Sequence, residues 1–187
     1  MHSDRTRWDA RYAAGDRRHD VEPAPRLVSL ARGFPPGRAL DLAAGLGRHA
    51  LLLARAGWTV DAVDISLEAL ETLKRRASDA GLRVNLVVAD LDVFECRPAS
   101  YDLAVQTFFL DRSLAARLAR WVRPGGHVYV ETHRRGPTVP TKSRYALDPG
   151  ELRAMFDAWQ VVEYEEGVRP EGARQIDTAR LVARRAE

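Results

Sequence analysis

The sequence predicts an α/β protein built on a doubly wound, mostly parallel sheet. Apolar runs rich in β-branched residues alternate with stretches of helical periodicity along most of the 187 residues. Such alternation is typical of parallel strands covered by helices on both faces. Near the C-terminal end, two strand candidates follow each other with only a loop between them, which predicts an antiparallel hairpin.

The elements follow from these patterns in chain order. Seven strands are predicted, at residues 39–42, 59–63, 84–88, 102–107, 127–131, 161–165 and 179–182. Three helices are predicted from apolar residues that share one face, namely Leu67, Leu70, Leu73 and Ala77, then Leu114, Leu118 and Trp121, then Leu152, Met155, Phe156 and Trp159. The length fits one domain over residues 1–187, with residues 1–25 as a candidate N-terminal lid.

Composition narrows the class of protein. The only cysteine is Cys96, so no intrachain disulfide is expected. The net charge is +3, but the basic residues are scattered among nearly as many acids, so nucleic acid is not an expected partner. The polar N-terminus and the lack of an apolar run of about 20 residues predict a cytoplasmic protein without a membrane contact. No His, Cys or carboxylate cluster has metal-ligand spacing.

The segment "ALDLAAGLGRHA", residues 39–50, ends a strand at a glycine turn and enters a helix. Gly45 and Gly47 let backbone approach a ligand, and the helix start from Arg48 offers free N–H groups. Gly45, Gly47 and Ala50 also satisfy the loose G-x-G-x-x-G/A pattern of a dinucleotide site. Asp64 follows at about the sequence separation, roughly 20 residues, that is expected of an acid that contacts the ribose. A nicotinamide-dependent oxidoreductase therefore remains an alternative at this point.

Three acids stand at or just past the carboxyl ends of the first three strands: Asp41, Asp64 and Asp90. A pyrophosphate placed at this turn would meet Asp41, and like charges about 4 Å apart repel by several kcal/mol at intermediate dielectric. A cationic ligand would be attracted instead. S-adenosylmethionine carries an ammonium and a sulfonium, and its ribose and adenine offer groups that suit Asp64 and Asp90.

The chain resembles the class I S-adenosylmethionine-dependent methyltransferases, which have a Rossmann-like fold. "ALDLAAGLGRHALLLARAGWTVDAVDIS" resembles the first two motifs of that family, "VVADLDVF" the third, "YDLAVQTFFLDR" the fourth, and "WVRPGGHVYVETH" the turn into the fifth strand. The closing segments, "PGELRAMFDAWQVVEYEEG" and "ARLVARR", are similar to the tellurite-resistance methyltransferase branch. The resemblance implies S-adenosyl-L-methionine as the cofactor.

The resemblance also implies roles for particular residues. Asp41 and the backbone from Ala43 through Gly45 to Gly47 and Arg48 would hold the methionine part, and Asp64 with Ile65 the ribose. Asp90 and Leu91 would hold the adenine, and Gln106 and Thr107 would face the methionine end. If the N-terminal segment is helical, Trp8, Arg11 and Tyr12 share a face, and we expect them to cover the cofactor, with Arg11 at its carboxylate.

Two positions depart from the family pattern. Ala43 replaces the usual glycine, and its methyl group is tolerable if its φ angle is negative. The last hairpin offers Arg169 and Arg174, where the tellurite-resistance branch has a His-Arg pair. Five arginines are candidates for binding an anionic acceptor: these two and Arg112, Arg134 and Arg135. We expect at most two of them to do so and the others to be solvated surface charges.

Methyl transfer to an activated sulfonium requires mainly that the acceptor be positioned, and a base only where the acceptor carries a proton. His133, just beyond the fifth strand, is the candidate catalytic residue, whereas His127 and His49 are expected to be structural. Asp111 is expected to cap the next helix. We expect a small-molecule acceptor that reacts through oxygen, nitrogen or a chalcogen such as tellurite or selenite. A non-catalytic S-adenosylmethionine-binding protein is a further alternative, and the sequence predicts no oligomeric state.

Overall fold

A computed structural model describes residues 2–16, 22–136, 145–171 and 174–187, without the side chains of residues 2, 3, 171 and 174. Seven strands form one mixed sheet in the order β3-β2-β1-β4-β5-β7-β6. The predicted fold class, mostly parallel with antiparallel strands at the C-terminal end, is confirmed. Within the described ranges, no helix is both long and apolar enough to cross a membrane.

The chain divides into two compact units, residues 1–95 and 96–187, and each is described by itself. The first unit contains α1 His2–Ala13, α2 Pro25–Gly33, β1 Arg38–Leu42, α3 Arg48–Arg55, β2 Thr59–Asp64, α4 Leu67–Asp79 and β3 Asn85–Val88. Its central strand, β2, pairs in parallel with β1 and with β3. The expectation of one domain over the whole chain stays a prediction.

The second unit contains β4 Tyr101–Thr107, α5 Leu114–Trp121, β5 Val122–His133, α6 Glu151–Met155, β6 Gln160–Glu171 and β7 Arg174–Arg184. β4 and β5 are parallel, whereas β7 is antiparallel to both β5 and β6. The β6–β7 hairpin therefore forms as predicted, although both strands are longer than the apolar runs from which they were predicted.

The local sequence explains why the first unit holds its shape. Residues 39–42 of β1 are buried on both faces of the strand, as expected where helices cover a parallel sheet. In α4, the predicted apolar face is buried at Leu70, Leu73 and Ala77. This helix begins after Ser66, whose hydroxyl oxygen accepts a hydrogen bond from the Ala69 N–H at 3.2 Å.

Four details differ from the sequence-based expectation. Leu67, predicted on the apolar face of α4, is the first residue of that helix and is 48% exposed. Helix α2 was not predicted, although Pro25 at its first position is a helix-start signal. Helix α6 ends at Met155, so the apolar spacing that continues to Trp159 lies in turns, where Phe156 and Trp159 pack edge to face at 5.8 Å. Asp111 is not the N-cap of α5; that position is Ser113, whose N–H donates to the Asp111 carboxylate at 2.9 Å.

Candidate functional site

The glycine turn after β1 contains three residues with left-handed backbone. Gly45 and Gly47 have φ angles of 54° and 83°, and Ala43 has a φ angle of 54°. The condition set for Ala43, a negative φ, is therefore wrong: the alanine adopts a conformation that costs an L-residue about 1–2 kcal/mol. A Cβ atom on Gly47 would overlap the side chain of Leu73, so this glycine is also required for packing against α4.

Asp41 lies beneath this turn and is almost fully buried. Its carboxylate accepts a hydrogen bond from the backbone N–H of Ala50, in the first turn of α3. Its Oδ2 atom has no hydrogen-bond partner among the described residues. Burial, with a smaller contribution from the charge of Asp64, raises the pKa of Asp41 to about 7. A buried, incompletely satisfied carboxylate of this kind is suited to a ligand that brings a positive charge.

Asp64 ends β2 and binds backbone on both sides. Its Oδ2 accepts the Gly45 N–H at 2.7 Å, and its Oδ1 accepts the Ser66 N–H at 2.8 Å. Burial raises the pKa of Asp64 as well, and these backbone hydrogen bonds oppose that rise. The Ile65 N–H also donates to this carboxylate. Because a carboxylate accepts about four hydrogen bonds, Asp64 can still accept one from a ribose hydroxyl. It also fixes the turn that follows β1.

The residues expected near the adenine lie just after β3. Leu91 is buried, and Asp90 is half-buried with its Oδ1 accepting the Asp92 N–H at 3.0 Å. Ile65, next to Asp64, is also half-buried. The strand ends thus bring Asp41, Asp64 and Asp90 to the edge of the first unit's sheet that the sequence predicts.

The N-terminal segment is helical over His2–Ala13, as the lid hypothesis requires. The rings of Trp8 and Tyr12 stack at 6.0 Å, and the guanidinium of Arg11 lies 4.4 Å from the centre of the Trp8 ring. Arg11 also donates two hydrogen bonds to Asp16, at 2.8 and 2.9 Å. A contact of Arg11 with a ligand carboxylate would have to compete with Asp16. Residues 17–21 of the candidate lid lie outside the described residues.

The first two residues of α3, Arg48 and His49, follow the turn directly. His49 is buried, and its Nε2 accepts the Ala24 N–H at 3.3 Å, so it joins α3 to the start of α2. Burial lowers the pKa of His49 well below its usual value, which keeps the ring neutral. This agrees with the expected packing role. Arg48, which is half-buried, contributes a favourable charge to the Asp41 carboxylate.

In the second unit, the candidate residues meet where β4 and β5 end. Gln106 is buried and donates to the Phe109 carbonyl at 2.6 Å, and Thr107 is the last residue of β4. Phe108 has a φ angle of 55°, and its N–H donates to the Glu131 carbonyl at 2.8 Å. Its ring lies 4.9 Å from the ring of His133, which is half-buried.

An ion pair between the buried Glu131 and Arg169 lies next to the Phe108 ring, and the sequence did not predict it. Glu131 is 1% exposed, accepts a hydrogen bond from the Tyr129 hydroxyl at 2.6 Å and forms an ion pair with Arg169. The Arg169 guanidinium also lies 5.9 Å from the centre of the Phe108 ring. An acid inside the apolar run "HVYVETH" was the available signal, because an acid is rarely buried without a partner.

The other arginines proposed for an anionic acceptor also have carboxylate partners. Arg134 binds Asp177 at 2.7 Å and Glu166 at 3.2 Å. Arg112 pairs with Glu151, and Arg135 pairs with Asp148. The side chain of Arg174 lies outside the described residues. Each described candidate guanidinium is therefore already neutralised by an acid.

Comparisons with known proteins find methyltransferases. The profile of a methyltransferase domain family matches residues 39–126. The chain is 30% identical over 122 residues to the ubiquinone biosynthesis O-methyltransferase of Vibrio cholerae, covering 61% of this chain and 50% of that protein. It is 29% identical over 112 residues to ribosomal RNA small subunit methyltransferase C of Alcanivorax borkumensis, covering 56% of this chain and 34% of that protein. The chain thus spans half or less of these relatives.

The fold is similar to the crystal structure of TehB from Haemophilus influenzae, with a TM-score of 0.75 and 21% identity over 87% of this chain and 62% of that one. This likeness concerns the fold alone. The comparisons favour a methyltransferase over the nicotinamide-dependent alternative. Residues 39–126 thus match a methyltransferase domain family, and the motifs and the fold of the chain are similar to those of the class I S-adenosylmethionine-dependent methyltransferases.

Proposed function

We propose that this protein transfers a methyl group from S-adenosylmethionine to a small-molecule nucleophile. One observation carries the proposal: the buried Oδ2 atom of Asp41, beside a turn of left-handed residues, lacks a hydrogen-bond donor among the described residues. The ammonium of the cofactor's methionine part is a donor of the right charge for this atom. A dinucleotide pyrophosphate would bring more negative charge to Asp41 and Asp64.

The residues of the first unit have separate tasks in this proposal. Asp41 holds the ammonium, and the backbone from Ala43 to Arg48 accommodates the methionine part. Asp64 accepts a hydrogen bond from a ribose hydroxyl, while Ile65 packs beside it. Asp90 and Leu91 bind the adenine, and Trp8 and Tyr12 cover the ligand. Arg11 can bind the ligand carboxylate only after its hydrogen bonds to Asp16 break. Gln106 and Thr107 stay predicted contacts of the methionine end.

S-adenosylmethionine, when bound, supplies a methyl group activated by a positively charged sulfur. The chain has to position an acceptor and, where that acceptor carries a proton, remove it. We assign proton removal to His133, which ends β5 and packs on Phe108. Because Arg112, Arg134, Arg135 and Arg169 all have acidic partners, we place oxygen or nitrogen acceptors ahead of a chalcogen oxyanion.

Titration calorimetry tests the cofactor part. We expect wild-type protein to bind adenosylhomocysteine and S-adenosylmethionine but not NAD. Asp41→Asn should weaken binding of both methionine-derived ligands at least tenfold, because the ammonium loses its charged partner. Asp79→Asn, on the exposed end of α4, is the matched control and should leave the affinity unchanged. NAD binding by the wild type would refute the proposal.

Transfer of label from a methyl-labelled cofactor tests the acceptor. Fractionated small-molecule extract, selenite and tellurite are tried separately, and nuclease-treated extract is compared because one relative is named as a ribosomal RNA methyltransferase. Label in a small molecule supports the proposal, and label lost on nuclease treatment contradicts it. We also propose a cytoplasmic location.

Turnover of His133→Gln tests the proposed base. For an acceptor that arrives protonated, kcat should fall about 10²- to 10⁴-fold while the affinity for adenosylhomocysteine stays the same. His127→Gln, in the same strand, is the matched control and should keep its activity. Equal turnover by both variants would remove His133 from the reaction.

A further inference from the structure

Helix α1 is joined to the cofactor side of the first unit by Asp9, a residue without a role in the proposal above. Its Oδ1 accepts a hydrogen bond from the Ser66 hydroxyl at 2.6 Å, and the Glu68 N–H lies 3.4 Å from the same oxygen. Asp9 thus lies at the N-terminus of α4, where a carboxylate interacts favourably with the free N–H groups of the first turn.

Ser66 connects Asp9 with the glycine turn through hydrogen bonds. It is fully buried, and its own N–H donates to Asp64 at 2.8 Å while its hydroxyl donates to Asp9. The other oxygen of Asp64 holds the Gly45 N–H at 2.7 Å. A continuous hydrogen-bonded path therefore connects Asp9 on α1 with Gly45 through Ser66 and Asp64.

The same helix reaches the turn at a second point. A Cβ atom built on Gly45 would lie 2.9 Å from the Tyr12 hydroxyl oxygen, so the tyrosine lies directly against the glycine. Asp9 and Tyr12 are three residues apart, and therefore on one side of α1. Helix α1 is therefore linked to two groups that are proposed to hold the ligand: to Asp64 through Ser66, and to the turn at Gly45.

Charge opposes this docking when no cation is bound. The charge of Asp9 helps to raise the pKa of Asp64, and the charge of Asp64 helps to raise the pKa of Asp41. Among the described residues, none of these three carboxylates forms an ion pair with a lysine or arginine, and only the charge of Arg48 acts in the other direction, on the pKa of Asp41. A cationic ligand beside Asp41 and Asp64 reduces the repulsion that Asp9 experiences, so ligand binding and helix docking favour each other.

We propose that Asp9 is a positioning residue that couples the docking of α1 to occupancy of the cofactor site. This inference rests on the proposed function, since the ligand concerned is S-adenosylmethionine or its product. Asp9 itself touches Ser66 rather than the ligand. The coupling is reciprocal: the ligand holds α1 in place, and docked α1 raises the affinity for the ligand.

Amide hydrogen exchange of α1 and calorimetry, both with adenosylhomocysteine, test the coupling. In the wild type, the ligand should slow exchange in α1 as well as in α4. In Asp9→Ala, we expect affinity to fall about tenfold and exchange in α1 to become independent of the ligand, while α4 still responds. Asp4→Ala, on the exposed side of the same helix, is the matched control and should behave as the wild type.

Asp9→Asn separates the hydrogen bond from the charge. Its amide oxygen can still accept from Ser66, but the repulsion of Asp64 is gone, so α1 should be protected even without ligand, with affinity within about threefold of the wild type. Unchanged affinity and unchanged α1 exchange in Asp9→Ala would overturn the coupling alone. No binding by the wild type would overturn the proposed function, and the coupling with it.

Discussion

The buried carboxylates at the candidate cofactor site of the first unit differ from two buried carboxylates of the second unit in how their charge is neutralised. In the first unit, Asp41 and Asp64 bind only backbone N–H groups among the described residues, and burial raises the pKa of both. In the second unit, Glu131 and Asp177 are as deeply buried, but each forms an ion pair with an arginine. Elsewhere in the first unit, the buried Asp61 also pairs with an arginine, Arg38. Incomplete neutralisation of Asp41 and Asp64 leaves room for a cationic ligand, whereas Glu131 and Asp177 are neutralised by their arginine partners.

The largest expected effect comes from breaking a pair in the second unit. Arg134→Met would leave Asp177, which is 1% exposed, without its guanidinium partner. Removing one member of a buried pair costs about 3–5 kcal/mol, so the free energy of unfolding in urea should fall by about that amount. Arg112→Met, which breaks a more exposed pair with Glu151, is the control and should cost no more than about 1 kcal/mol. Equal losses would contradict the contrast between buried and exposed pairs.

The next substitution, in the first unit, should raise the free energy of unfolding instead of lowering it. Because burial raises the pKa of Asp41 to about 7, the folded protein binds more protons than the unfolded chain between about pH 4 and pH 7. Stability without cofactor therefore falls as pH rises through that window, and Asp41→Asn should remove this loss, up to roughly 4 kcal/mol above pH 7. The same substitution should weaken ligand binding, so stability and affinity change in opposite directions.

Urea unfolding of the wild type and Asp41→Asn at several pH values from 5 to 8, without cofactor, measures this difference. The two stability curves should separate as pH rises. Curves that stay parallel over the whole range would mean that Asp41 is not an uncompensated buried acid. Affinity of the wild type for adenosylhomocysteine should fall as pH drops below about 7, because the ammonium is attracted to the ionised carboxylate.

The sequence predicts the residues around the glycine turn of the first unit better than the arginine pairs of the second unit, for a physical reason. Strand ends and glycine turns are local signals, so Asp41, Asp64 and the turn between them follow from residues within one βαβ segment. The Arg134–Asp177 pair joins residues 43 apart in sequence, and nothing local specifies which acid each arginine meets. Sequence spacing alone therefore left five arginines as candidates for an anionic acceptor, and the described four prove to be paired.

Backbone conformation was the other point that residue types did not predict. Alanine normally avoids positive φ angles, so the sequence led to a condition for Ala43 that the structure reverses. The glycine turn is fixed instead by tertiary contacts: Gly45 by Asp64, and Gly47 by Leu73. Ala43 precedes these contacts and adopts the backbone that they impose.

The smallest expected effect tests this strain directly. Ala43→Gly should stabilise the protein by roughly 0.5–1 kcal/mol, because glycine adopts the left-handed conformation without steric cost, and this gain exceeds the extra entropy of glycine in the unfolded chain. Ala44→Gly is a matched control one residue away, at a position without a positive φ angle, and should destabilise by a similar amount. Thermal and urea unfolding without cofactor measure both variants. Destabilisation by both would show that Ala43 is not strained, and the turn would then owe its shape to local preference rather than to Asp64 and Leu73.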